Sequence, residues 1–110
     1  MLNQLFGPSI HLLILDHFLE NPEKLMNLRE IARATEKNPG SISRVLPRLI
    51  KAGLIKQIKI GKATHIYKLN TENEVVQLIA EFTEKYKNLK SKQEKQPGNG
   101  EENAPQTNRR

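Results

Sequence analysis

A chain of 110 residues has room for one modest hydrophobic core. It contains no cysteine, which excludes a disulfide framework, a thiolate metal site and a cysteine nucleophile and suits a reducing compartment. The longest apolar run, Leu12-Leu13-Ile14-Leu15, falls far short of the ~20 residues that span a bilayer, and no basic start leads into an apolar stretch. Neither a membrane span nor a secretory signal is expected, and a cytoplasmic location is.

The net charge of +6 is unevenly placed. Residues 29–68 carry ten Lys or Arg against Glu30 and Glu36, a balance of +8, while residues 1–28 sum to −2 and residues 69–110 cancel. No acid occurs between Lys37 and Thr71. A basic segment of that length inside an otherwise patterned domain is the footprint of a polyanion partner.

In chain order, Pro8-Ser9 opens a first helix over Ile10 to Leu19, stopped at Asn21-Pro22 and apolar in several directions, as a helix buried on more than one side must be. Asn27 and Glu30 have the spacing of a capping box for a second helix from Leu28 to Ala34, with Met26 and Ile31 placed as its hydrophobic staple. A polar turn leads to Pro39, the first residue of a third helix that runs to Ala52 and stops at Gly53. Leu54 to Ile60 and His65 to Leu69 alternate like strands about a Gly61-Lys62 turn. Thr71 and Glu74 form a second capping-box pattern, opening a long helix to Ser91 or Lys92. From Gln93 the chain is polar and of low complexity, with Ala104 its one apolar side chain, and disorder is expected over 93–110.

Helix, helix, turn, helix, hairpin, helix, with the cations in the middle, is the layout of a winged helix-turn-helix: mostly α with a small β-hairpin and a long C-terminal helix. The residues themselves resemble a family. LREIARATEKNPGSISRVLPRLIKAGLI, followed by a glycine turn and IYKLN, is similar to the DNA-binding core of MarR- and ArsR-type transcriptional regulators, over about residues 10–70. The resemblance rests on Ile31-Ala32, on Ser41-Ile42-Ser43-Arg44 and on Leu49, Gly53, Leu54 and Ile55. The sequence departs from it in two places. Glu36 and Lys37 stand where the family's turn has glycine and an apolar residue, and Pro47 lies inside the third helix, where a bend is expected.

At 100° per residue, Ile42, Val45, Leu46, Leu49 and Ile50 share one arc of the third helix, and Ser41, Arg44, Arg48 and Lys51 the opposite one. A helix fits the major groove of double-stranded DNA, where its N-terminal residues meet base edges. Ser41, Ser43 and Arg44 are therefore expected at bases, and Arg48 and Lys51 at phosphates. On the hairpin, Lys59, Lys62 and Thr64 are the backbone or minor-groove candidates, with Lys56 and Lys68 adding charge; Arg29 and Arg33 are weaker candidates.

Enzymatic readings fail on the residues. His11 and His17 turn to opposite sides of one helix, His65 stands apart, Asp16 is the single aspartate, and no nucleophile, base and orienter set exists. No metal or cofactor is implied. In the last helix Val75, Phe82 and Leu89 recur every seven residues, with Leu78, Ile79 and Tyr86 between them, a seam that predicts a homodimer interface with the first helix as a possible contributor. The expected organisation is a DNA-binding domain over 1–70, a dimerisation helix over 71–92 and the tail. Two other functions suit the same layout: an architectural, chromatin-type DNA-binding protein with little sequence preference, and a winged-helix module that binds an acidic protein. Lys, Glu and Ile usage without cysteine hints at a thermophilic prokaryotic source.

Overall fold

A computed structural model describes residues 1–94; most of the tail expected to be disordered lies outside them. The elements are α1 (Leu2–Phe6), α2 (Ile10–Glu20), α3 (Leu28–Thr35), α4 (Pro39–Lys51), β1 (Ile55–Ile60), β2 (Thr64–Leu69) and α5 (Glu74–Glu94). The described residues divide into two units, Met1–Ala80 and 81–94.

The first unit is built around α2, which packs against α1, α3, α4 and β2. Ile14 and Phe18 are fully buried at its centre with Leu15 beside them, so the apolar residues that point several ways do so because protein surrounds them. Ile31 and Ala32 of α3, Ile42, Leu46 and Leu49 of α4, Ile55 and Leu69 of the hairpin and Val76 of α5 complete the core. Met26 is buried as well and pairs with β2 through two backbone bonds, its N–H donating to Tyr67 O at 3.0 Å and Tyr67 N–H donating to Met26 O at 2.7 Å. This one-residue bridge ties the entry of α3 to the hairpin.

The cap of α3 follows the sequence pattern. Glu30 N–H donates to Asn27 Oδ1 at 2.9 Å, and Asn27 N–H donates to Glu30 Oε1 at 2.8 Å. Two other starts do not. Helix α1, unanticipated, has no cap of its own: the Asp16 carboxylate, from α2, accepts from Leu2 N–H at 2.7 Å, Asn3 N–H at 2.9 Å and the Met1 ammonium at 2.9 Å. Helix α5 begins at Glu74, not after Thr71. Asn73 Oδ1 accepts from Val75 N–H at 2.7 Å and Val76 N–H at 3.3 Å, while Thr71 contributes its carbonyl to Gln77 Nε2. The Thr71–Glu74 capping box is thus replaced by an Asn73 cap two residues later, which keeps Thr71 to Asn73 free to turn the chain out of β2.

Helices α3 and α4 end alike. Lys37 N–H reaches back to Ala32 O and Glu36 N–H to Arg33 O; Leu54 N–H reaches Leu49 O and Gly53 N–H reaches Ile50 O. Each is a Schellman closure, which needs a left-handed residue. At α4 that residue is Gly53, φ 81°, as expected; at α3 it is Glu36, φ 59°. The turn therefore keeps its geometry despite lacking glycine, and a Cβ in the left-handed region costs about 1–2 kcal/mol. Glu36→Gly is expected to stabilise the fold by about 0.5–1 kcal/mol after the added flexibility of the unfolded chain is subtracted. Thermal unfolding followed by circular dichroism checks this, and a midpoint that falls would refute the strain argument.

Candidate nucleic-acid interface

The exposed face of α4 is set by how the helix starts and what it buries. Asn38 caps it, its Oδ1 accepting from Ser41 N–H at 2.9 Å, and Pro39 occupies the first turn, where no donor is needed. Ile42, Leu46 and Leu49 are buried, with Val45 and Ile50 packed against them. That leaves Ser43, Arg44, Arg48 and Lys51 exposed and Ser41 half-exposed. Among the described residues, no acid pairs with Arg44, Arg48 or Lys51. Arg44 and Arg48 lie about 6 Å apart along the axis and Lys51 about 4.5 Å further, so the cations form one stripe.

The hairpin stands beside this helix. Its antiparallel register pairs Ile55 with Leu69, Gln57 with Tyr67 and Lys59 with His65 on one face, and Lys56 with Lys68, Ile58 with Ile66 and Ile60 with Thr64 on the other. The Ile55–Leu69 end is anchored in the core, so the far end projects. Gly61, φ 68°, turns the chain there. Lys59, Lys62 and Thr64 are all exposed at that end, and neither lysine has an acidic partner among the described residues. Lys56 and Lys68 differ: Lys56 Nζ lies 3.2 Å from Glu72 Oε1 and Lys68 Nζ 3.6 Å from Glu23 Oε1. Arg29 and Arg33 are exposed on α3. Lys37, not among the expected site residues, is exposed in the turn that leads to α4. Its signal in the sequence is its place one residue ahead of the Asn38 cap.

Helix α4 runs unbroken through Pro47. Pro47 has no N–H to give the Ser43 carbonyl, and both residues line an open cleft of about 310 Å³ between α4 and the hairpin, with Leu46, Ile50, Gln57 and Tyr67. The proline ring therefore lies toward the cleft, clear of the buried side of the helix. Of the histidines, His17 is half-buried, with its Nε2 enclosed and without a hydrogen-bond partner among the described residues. No group of three His, Asp or Glu among the described residues is arranged to hold a metal ion.

Residues 10–59, from the start of α2 into β1, match the model of the IclR helix-turn-helix domain. Among solved structures, reduced HlyU from Vibrio cholerae is similar over 71% of this chain and 76% of its own, with 22% identity and a TM-score of 0.56. The fold is a winged helix-turn-helix. A second similar structure, the homodimeric winged helix-turn-helix DNA-binding domain Mb0332 from Mycobacterium bovis, belongs to a possible ArsR-family transcriptional regulator (23% identity, 72% of this chain, 68% of that one, TM-score 0.55). The transcriptional regulator BldR from Sulfolobus solfataricus matches 92% of this chain and 71% of its own at 21% identity and a TM-score of 0.55. At these identities the likeness establishes the winged helix-turn-helix fold. No curated protein matches the chain significantly. In this fold α3 and α4 are the helix-turn-helix, α4 the recognition helix and β1–β2 the wing.

Proposed function

We propose that the protein is a transcriptional regulator that binds specific double-stranded DNA sites as a homodimer. The observation that carries this reading is the stripe Arg44, Arg48 and Lys51 on the outer face of α4, next to a wing with Lys59 and Lys62 at its projecting end, none of the five with an acidic partner among the described residues. Ser41, Ser43 and Arg44, in the first turns of α4, meet base edges; Arg44 suits a guanine, to which a guanidinium donates two hydrogen bonds. Arg48 and Lys51 lie further along and take phosphates, while Lys59, Lys62 and Thr64 contact the backbone beside the wing. The match of residues 10–59 to a helix-turn-helix domain supports the same assignment. The work is binding, not catalysis. A cytoplasmic location suits it, and no helix among the described residues is long and apolar enough to cross a membrane.

The dimer rests on α5. In the first unit Val75 and Leu78 are 53% and 64% exposed, and Ile79 packs partly against the core. In the second, Phe82 and Leu89 are 43% and 57% exposed, and the Phe82 ring stacks on Tyr86 with centroids 6.2 Å apart. Such side chains at helical spacing need a partner surface, and the similar Mb0332 domain is itself homodimeric. Sedimentation is expected to give twice the chain mass of 12.6 kDa for the wild type and the single mass for Phe82→Glu. A monomeric wild type would end the dimer reading.

Selection from random duplexes tests the function as a whole. A recovered motif with two-fold symmetry, bound at least about a thousandfold more tightly than random DNA at fixed salt, is the expected result. A uniform affinity for every duplex would favour the architectural role, and no duplex binding at all would favour an acidic protein partner.

A further inference from the structure

Three elements meet at one carbonyl. Beyond the C-terminus of α4, Gly53 O accepts from Asn70 Nδ2 at 2.8 Å and from Asn73 Nδ2 at 3.0 Å. Asn70 follows the wing, and its backbone N–H also donates to Leu54 O at 3.0 Å. Asn73 precedes α5, and its Oδ1 is the acceptor that caps that helix. One amide side chain therefore holds the exit of the recognition helix with its nitrogen and the start of α5 with its oxygen. The approach is tight: a Cβ on Gly53 would lie 2.8 Å from Asn73 Nδ2.

We infer that Asn73 is a positioning residue that sets the distance between the two recognition helices of a dimer on DNA. This rests on the proposed dimerisation through α5. If the pair is joined along Val75, Leu78 and Ile79, the direction of the first turns of α5 decides where each α4 lies. A tilt of about 10° at Asn73 moves Ile79, roughly 9 Å along α5, by about 1.6 Å, so that the two protomers together shift by about 3 Å, close to the ~3.4 Å rise of one base pair. The joint therefore acts at the resolution of half-site spacing. Asparagine suits it because the amide supplies both the acceptor for α5 and the donor for Gly53, whereas aspartate supplies acceptors alone.

The test uses Asn73→Asp, which keeps the cap and sets a carboxylate oxygen against the Gly53 carbonyl, and Asn73→Ser, which also caps a helix well but is too short to reach Gly53. Each full chain is titrated against duplexes carrying a selected half-site once, or twice at a centre separation of about one helical turn and at one or two base pairs more or less. Wild type is expected to prefer one spacing. Both variants are expected to keep the dimer mass and the affinity for the single half-site while losing about tenfold of the spacing preference. Variants that retain the wild-type preference would overturn the inference, as would an equal loss on single and paired sites. A wild type that stays monomeric on paired sites would remove the dimer reading on which the inference depends.

Discussion

Arg44→Ala is expected to weaken binding to the selected site by about 1–3 kcal/mol and to relax the preference at one base-pair position, because the bidentate base contact proposed for Arg44 would be lost. Lys62→Ala, at the wing tip, is expected to weaken all duplexes alike and to lower the slope of log affinity against log salt by roughly one unit. The contrast follows from placement. Arg44 lies one turn into α4, on the face opposite the buried Ile42 and Leu46, while Lys62 sits beside Gly61 at the projecting end of the hairpin. Titrations of both variants on specific and random duplexes across a salt series provide the check. Equal losses on every duplex for both would show that α4 does not read sequence.

Phe18→Ala is expected to remove about 3–5 kcal/mol of stability. The ring is fully buried in the helix that α1, α3, α4 and β2 all pack against, so no single neighbour can move in to fill the space. Small domains have roughly 5–15 kcal/mol in total, and the variant should unfold at much lower urea. A loss under about 1 kcal/mol would mean that the core around α2 can collapse onto the gap.

The elements whose causes lie within a few residues were legible in the sequence. Asn27 and Glu30 cap each other across one turn, Gly53 supplies the left-handed residue that closes α4, and the arc of Ile42, Leu46 and Leu49 alone fixes which side of α4 faces out. The features that escaped have distant causes. Helix α1 is held by Asp16, fourteen residues from the Leu2 amide it accepts. The Met26 bridge depends on Tyr67, a strand partner 41 positions away. Asn73 was eclipsed by a Thr71–Glu74 pattern that fits a capping box equally well by spacing, and the bonds from Asn70 and Asn73 to Gly53 settle the matter only once the hairpin has folded back. The candidate site shows the same division: its composition could be read from the charge map, but which lysines are free could not, since the Lys56–Glu72 and Lys68–Glu23 pairs join residues 16 and 45 positions apart.

The hairpin has a further property that follows from its having two strands. Strand β2 meets β1 on one side and Met26 on the other, so that among the described residues no strand pairs with the outer edge of β1. An open edge of this kind is a template for another chain's strand, and Ile58 and Ile60, 39% and 48% exposed, make it an adhesive one. Lys59 stands between them in β1 without an acidic partner among the described residues, whereas Lys56 is held by Glu72, and two copies brought edge to edge would set two Lys59 ammonium groups along one edge. That lysine thus guards the free molecule against misassembly into extended sheets, and the guard weakens wherever its charge is neutralised.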